Sequence, residues 1–302
     1  MSALVSLSIS RCLQLLATQP NLESTVMEVP GGIIDVTLPG QLPQPSSKDL
    51  LHWVRSAATA VSQYYGGFPV PHLTLRIRTD DRPGVHHGVT YPREGGLILI
   101  SVGRNTETND LDDDWTLTHE MIHLAFPNMP DDQHWIEEGI STYIEPIARA
   151  QAGQLSVAAV WKEFARDMPK GQPAYGDQGL DTTHTWGRTY WGGALFCLVA
   201  DVRIREKTHN RKGLQDALRA IRNSGGNITE DWEIEKTLAA GDKGTGTTVL
   251  RDLYREMRDK PSPVDLDALW QKLGVELKDG KVIFSDKAPE AHIRKAITTG
   301  VR

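Results

Sequence analysis

The chain has 302 residues, of which 39% are hydrophobic and 24% charged, the balance of a soluble globular protein. A net charge of −6 leaves no basic footprint for nucleic acid or an anionic membrane, and no apolar run reaches the roughly 18 residues that span a bilayer. Two cysteines, Cys12 and Cys197, make no disulfide framework and do not fix a compartment, so cytoplasmic and exported (periplasmic) locations both stay open. In chain order, residues 1–20 read as a short helix or leader, but Arg11 and the lack of a basic start make a poor signal peptide. Ile33–Leu38, between glycines and prolines, reads as a short strand followed by a loop. Leu50, Leu51, Val54, Ala58 and Val61 recur at helical spacing, so Ser47–Tyr65 is predicted to be a helix capped by Ser46 or Ser47. Leu73–Arg78 alternates as a strand, and Leu97–Val102 reads as a more buried one. Asp80–Gly96, rich in His, Gly and Pro, reads as a long connection of the kind that lines sites.

The next segment carries the chemistry. Thr118-His119-Glu120-Met121-Ile122-His123-Leu124 lies in a helical run, with Asp112, Asp113 and Asp114 as N-cap and acidic first turn and Pro127 just past its end. Residues four apart share a helix face, so His119 and His123 point two imidazoles at one metal ion, and Glu120 reaches a water there as general base. Zinc, one per chain, suits imidazole and carboxylate donors; a hydrolytic site needs a third protein ligand and one open position. A histidine at position 129 would supply it in one zinc class, but that residue is Met129. A Glu-x-x-x-Asp pattern fails, since Thr142 follows Glu138 and Ser141 follows Glu137. The candidate is Glu138 in the second helix, His134–Tyr143, expected to end near Pro146 or soon after. Glu137 and His134 are its rivals, because helix faces separate neighbours and sequence does not show the faces.

Trp135-Ile136-Glu137-Glu138-Gly139, placed after this motif, resembles the Trp-Leu-Asn-Glu-Gly segment of the gluzincin metallopeptidases, the aminopeptidase N-like and glycyl-aminopeptidase-like families. Thr189-Tyr190-Trp191-Gly192-Gly193-Ala194 is similar to their Tyr-x-Lys-Gly-Ala segment, with Gly192 where the family has lysine. The resemblance covers about Gly88 to Arg222 with three motifs in order. It implies a thermolysin-like, peptidase MA-like zincin fold, with zinc held by His119, His123 and Glu138, a peptide or protein substrate, and Tyr190 as the oxyanion donor. By comparison with thermolysin-like enzymes His184 is a candidate to assist the transition state; by their place near Tyr190, Trp186 or Trp191 is a candidate wall of a substrate pocket, and His86 and His87 are candidates to line the non-primed side of the cleft. The family's acid that holds a substrate N-terminus is reproduced at its place by neither His87–Tyr91 nor Glu94–Leu97, so exo- and endopeptidase action both stay open.

Downstream, Val157–Ala165, Trp191–Lys207, Gly213–Arg222, Leu266–Leu273 and Ala288–Ile297 read as helices. Pro173–Arg188 reads as a glycine-rich loop, and Val275–Leu277 and Val282–Ser285 as short strands. The expected class is α+β: an N-terminal α/β lobe over 1–150 bearing the zinc helices, a mainly helical lobe over 151–302, and a cleft between them. The expected function is zinc-dependent peptide hydrolysis. The alternatives are an inactive zinc-bearing peptide-recognition module and a zinc hydrolase of non-peptide amides. Oligomeric state is not legible.

Overall fold

The computed structural model describes residues 22–40, 45–93 and 95–299. The leader reading of residues 1–20 and any pairing of Cys12 lie outside them; Cys197 is buried and has no disulfide partner among the described residues. The fold is α+β. A five-stranded mixed sheet runs in the order β1-β2-β3-β5-β4, built from β1 (Leu22–Val29), β2 (Gly32–Pro39), β3 (His72–Asp80), β4 (Val85–Tyr91) and β5 (Leu97–Gly103). The three middle strands are parallel, and the two edge strands run antiparallel to their neighbours. Strand alternation sets which side chains go inward: Ile34, Val36 and Leu38, then Leu73, Leu75 and Ile77, then Ile98, Ile100 and Val102 are all buried. Each such side chain contributes about 1.5–3 kcal/mol by leaving water.

The first helix, α1 (Ser47–Tyr65), begins on a capping box between Ser46 and Asp49 and buries Leu50, Trp53, Val54, Ala57, Ala58 and Val61. It packs against two helices that matter most for the site, α3 (Thr116–His123) and α4 (His134–Gln151), which follow the short α2 (Thr108–Asp112). The helical remainder is α5 (Val157–Asp167), α6 (Gly193–Lys207), α7 (Leu214–Asn223), α8 (Ile234–Thr245), α9 (Val249–Met257), α10 (Leu266–Leu273) and α11 (Ala291–Thr299). A two-stranded hairpin, β6 (Val275–Lys278) and β7 (Lys281–Phe284), precedes α11.

One sequence expectation is corrected and two are extended. The long connection Asp80–Gly96 contains β4, an edge strand bulged between His86 and Val89, with His87 at φ 47°. The strand at Ile33–Leu38 is preceded by β1, with which it forms a hairpin. Helix α4 runs through Pro146 and ends soon after it, at Gln151, because the buried Ile144, Ile147 and Ala148 hold the last turns in the core against the break a proline favours.

Helices α4 and α6 cross at van der Waals contact of their backbones. A Cβ on Gly139 would lie 2.3 Å from the carbonyl carbon of Gly193, and one on Gly193 would lie 2.2 Å from the carbonyl oxygen of Trp135. Gly139 directly follows Glu138, so this crossing fixes where that carboxylate emerges. Gly139→Ala or Gly193→Ala is expected to cost about 1–3 kcal/mol by overpacking, read as a lowered urea midpoint; an unchanged midpoint in both would show that the crossing tolerates separation.

Candidate metal centre and cleft

Helix α3 starts where Asp114 accepts hydrogen bonds from the backbone N–H groups of Thr116 (3.0 Å) and Leu117 (3.1 Å). The same carboxylate accepts from the Trp53 indole at 3.0 Å, which ties the helix start to α1. One turn separates His119 from His123, and their rings lie 5.0 Å apart at 75°. Glu138 comes from α4. Its Oε2 lies 3.0 Å from His119 Nε2 and 3.7 Å from His123 Nε2. One donor atom from each of the three falls within 4.8 Å of the others, and all three side chains are buried. Burial drives the His123 imidazole down to about 3, with Glu138 opposing the shift, so it is neutral and its ring nitrogen is free to donate a lone pair. For Glu138 burial alone would raise the carboxyl, but hydrogen bonds from His119 and His134 and the neighbouring imidazole charges hold it well below the usual carboxylate range.

The rivals for the third position go elsewhere. Glu137 turns toward the backbone N–H of Met129 (3.4 Å) and His134 Nδ1 (3.2 Å). His134 bridges the two glutamates, its Nε2 lying 3.1 Å from Glu138 Oε1. If Glu138 held a metal, an imidazole placed against its other oxygen in this way would be an outer-shell contact.

Glu120 shares the cleft with these three residues and is held from the β4 side. Thr90 Oγ1 donates to its Oε2 at 2.6 Å and lies 2.9 Å from its backbone oxygen. Gly88 clears the space, since a Cβ there would stand 2.6 Å from Glu120 Cγ. Burial raises the Glu120 carboxyl, with His119 and Thr90 opposing. Tyr190 arrives on a single π-helical turn, Gly187–Gly192, a geometry concentrated at functional positions. Arg188, buried in that turn, pairs with Asp177 at 2.7 Å and donates to the carbonyl of Gly171. The Tyr190 ring stacks 6.3 Å from His119 and 5.8 Å from Trp186. Burial first, then the charges of Glu138 and Glu120, push its hydroxyl up to about 12, so it stays a proton donor.

A cleft of about 550 Å³ opens over these groups, lined by His86, His87, Thr90, Trp115, His134 and Tyr190 among others. His184 is exposed in the loop before the π-helical turn and lines neither this cleft nor the cavity beside it. Sequence reasoning passed over two contributors. Trp115, which stands edge-on to His119 at 5.5 Å, had a signal, because it sits four residues before His119 on the same helix face. Thr90 had none, since only the register of β4 against α3 brings it to Glu120.

No family model matches the chain, and neither does any curated protein. Among solved structures it is similar to an aminopeptidase N family protein from Idiomarina loihiensis, with TM-score 0.65 and 13% identity over 89% of this chain and 53% of that one. It is also similar to a mutant two-domain M1 zinc metallopeptidase bound to L-arginine (TM-score 0.50, 15% identity, 80% of this chain and 54% of that one). A third is Legionella pneumophila aminopeptidase A in complex with aspartic acid (TM-score 0.53, 12% identity, 80% of this chain and 28% of that one). At such identities the likeness is one of fold: an α+β chain whose structural neighbours are M1 and aminopeptidase N-family metallopeptidases. The chain spans about half the length of the first two. No helix among the described residues is long and apolar enough to cross a membrane.

Thr90→Val removes the hydroxyl that serves the buried Glu120 carboxylate. Unfolding free energy is expected to fall by about 1–3 kcal/mol and to be restored by Thr90→Ser in urea titrations; equal stability of all three proteins would show that the contact contributes nothing.

Proposed function

We propose that the chain is a zinc-dependent metallopeptidase with a thermolysin-like arrangement of its zinc helices, acting on a peptide or protein in the cleft between residues 1–150 and 151–302. One observation carries the reading: two imidazoles and a carboxylate from two helices converge within 4.8 Å at the floor of an open cleft, with a second carboxylate held beside them. The donor set fits zinc, with borderline-soft nitrogens and one carboxylate oxygen, all buried, and cleft space on the remaining side. His119, His123 and Glu138 would hold it, and His134 would orient Glu138. Bound there, zinc supplies a Lewis acid for a carbonyl oxygen and lowers the pKa of water to about 7.

The chain's own groups supply the rest. Glu120 accepts a proton from a water in the cleft as the water oxygen bonds to the substrate carbonyl carbon. As the C–N bond breaks, Glu120 returns that proton to the leaving nitrogen. Tyr190 donates its hydroxyl hydrogen to the carbonyl oxygen as negative charge gathers there, a contribution of about 2.7–4 kcal/mol in comparable sites. The structural neighbours captured with arginine and aspartic acid support a cleft that receives amino-acid or peptide ligands.

Hydrolysis of a mixed peptide library is expected to stop on chelation and to return with zinc. Glu120→Gln should lower kcat by about 10²–10⁴-fold while zinc binding persists, and Tyr190→Phe by about 10²–10³-fold with little change in KM. Wild-type rates in Glu120→Gln would overturn the proposal.

A further inference from the structure

Beyond Tyr190 the cleft continues into a second cavity of about 600 Å³, reached past three shared walls, Trp115, His119 and Tyr190. Trp186 and Trp191 add to its aromatic sides. Its floor is polar: Thr142, Glu145 and Arg149 come from the same helix as Glu138, and Glu163, Arg166 and Asp167 from α5.

The charges on this floor are not balanced by one another. Arg149 is committed to Glu145 Oε1 (3.0 Å) and to the carbonyl of Asp112 (3.1 Å). Arg166 and Lys170 both pair with Asp167. Three cations therefore face four carboxylates, those of Asp113, Glu145, Glu163 and Asp167, which leaves one negative charge in excess. Glu163 makes no ion pair or hydrogen bond among the described residues. Glu145, 4% exposed, uses only Oε1, and its Oε2 has no partner among them. Burial raises the Glu145 carboxyl to about 8, opposed by Arg149 and reinforced by the charge of Glu163. The walls already take a cation, because Lys170 Nζ sits 5.6 Å from the Trp186 ring centre and 5.9 Å from that of Trp191.

We propose that this cavity is the side-chain pocket for a lysine or arginine of the substrate next to the scissile bond, its alkyl stem lying between the tryptophans and its cation ending on Glu163 and Glu145 Oε2. The inference rests on the metallopeptidase reading for its position relative to the bond that breaks, and it names a substrate class that the reading itself leaves open. An acidic side chain would meet an excess of carboxylates over cations.

The test uses the zinc-loaded full chain and two readouts. Peptides that differ only by Lys, Arg, Leu or Glu are compared at each of the two positions flanking the cleaved bond. At one of them a basic residue should raise kcat/KM over leucine by about tenfold, the size of one charge-assisted hydrogen bond, and Glu163→Gln and Glu145→Gln should each shrink that ratio several-fold. Separately, calorimetry should show argininamide binding more tightly than leucinamide, with the difference reduced in both variants. Argininamide preference without hydrolysis would sink the peptidase reading and keep the pocket. Hydrolysis with no basic preference, or a preference that both variants retain, would overturn the pocket and keep the peptidase.

Discussion

Everything at the centre depends on one carboxylate being carried across a helix crossing to two imidazoles. Glu138 is buried, and an unpaired carboxylate there would be expensive. It is accommodated because His119 and His134 lie within hydrogen-bond distance of its two oxygens and His123 sits 3.7 Å away. That convergence needs α4 at the right height against α3. The height is set on the far side of α4, where Gly139 lies against Gly193 with no room for a methyl group. The glycine that follows the glutamate thus has a packing reason, and so does the first residue of α6.

The same crossing links the candidate metal centre to the rest of the cleft. Helix α6 is entered through the π-helical turn that carries Tyr190, so contact between α4 and α6 places the hydroxyl and the Glu138 carboxylate relative to each other. On the opposite wall, β4 brings Thr90 and Gly88 to Glu120. Four elements therefore meet at one point: an edge strand, two helices and a π-helical turn. Helix α4 then continues past Glu138 to present Thr142, Glu145 and Arg149 to the second cavity, so one rigid element carries both a candidate metal ligand and a floor of charge.

What could be read in the sequence was what is local and periodic. The pairing of His119 with His123 on one face, the Asp114 start and the Pro127 limit all act within a few residues. So do the alternation of β3 and the capped period of α1. What escaped depends on tertiary pairing. Strand β4 is interrupted by two histidines and Gly88, and its strand character comes from β5 rather than from its own side chains. Strand β1 leaves Leu22 and Val26 exposed, so no alternation marks it. Helix α8 carries Gly241 and Gly244, which weaken its local signal but let it approach Leu250 and Ala220. The choice between Glu137 and Glu138 was a question of helix face. The geometry that separates them, one turning back to Met129 and the other meeting His119, exists only once α3 and α4 are packed.

The most direct test of the central claim is a crystal structure of the zinc-loaded chain with anomalous data at the zinc edge. The account predicts one peak per chain, with His119, His123 and Glu138 within about 2.0–2.2 Å of it and the remaining side facing the cleft beside Glu120. A zinc held by other residues, a closed four-residue shell that includes His134 or Glu137, or no peak at all would contradict it.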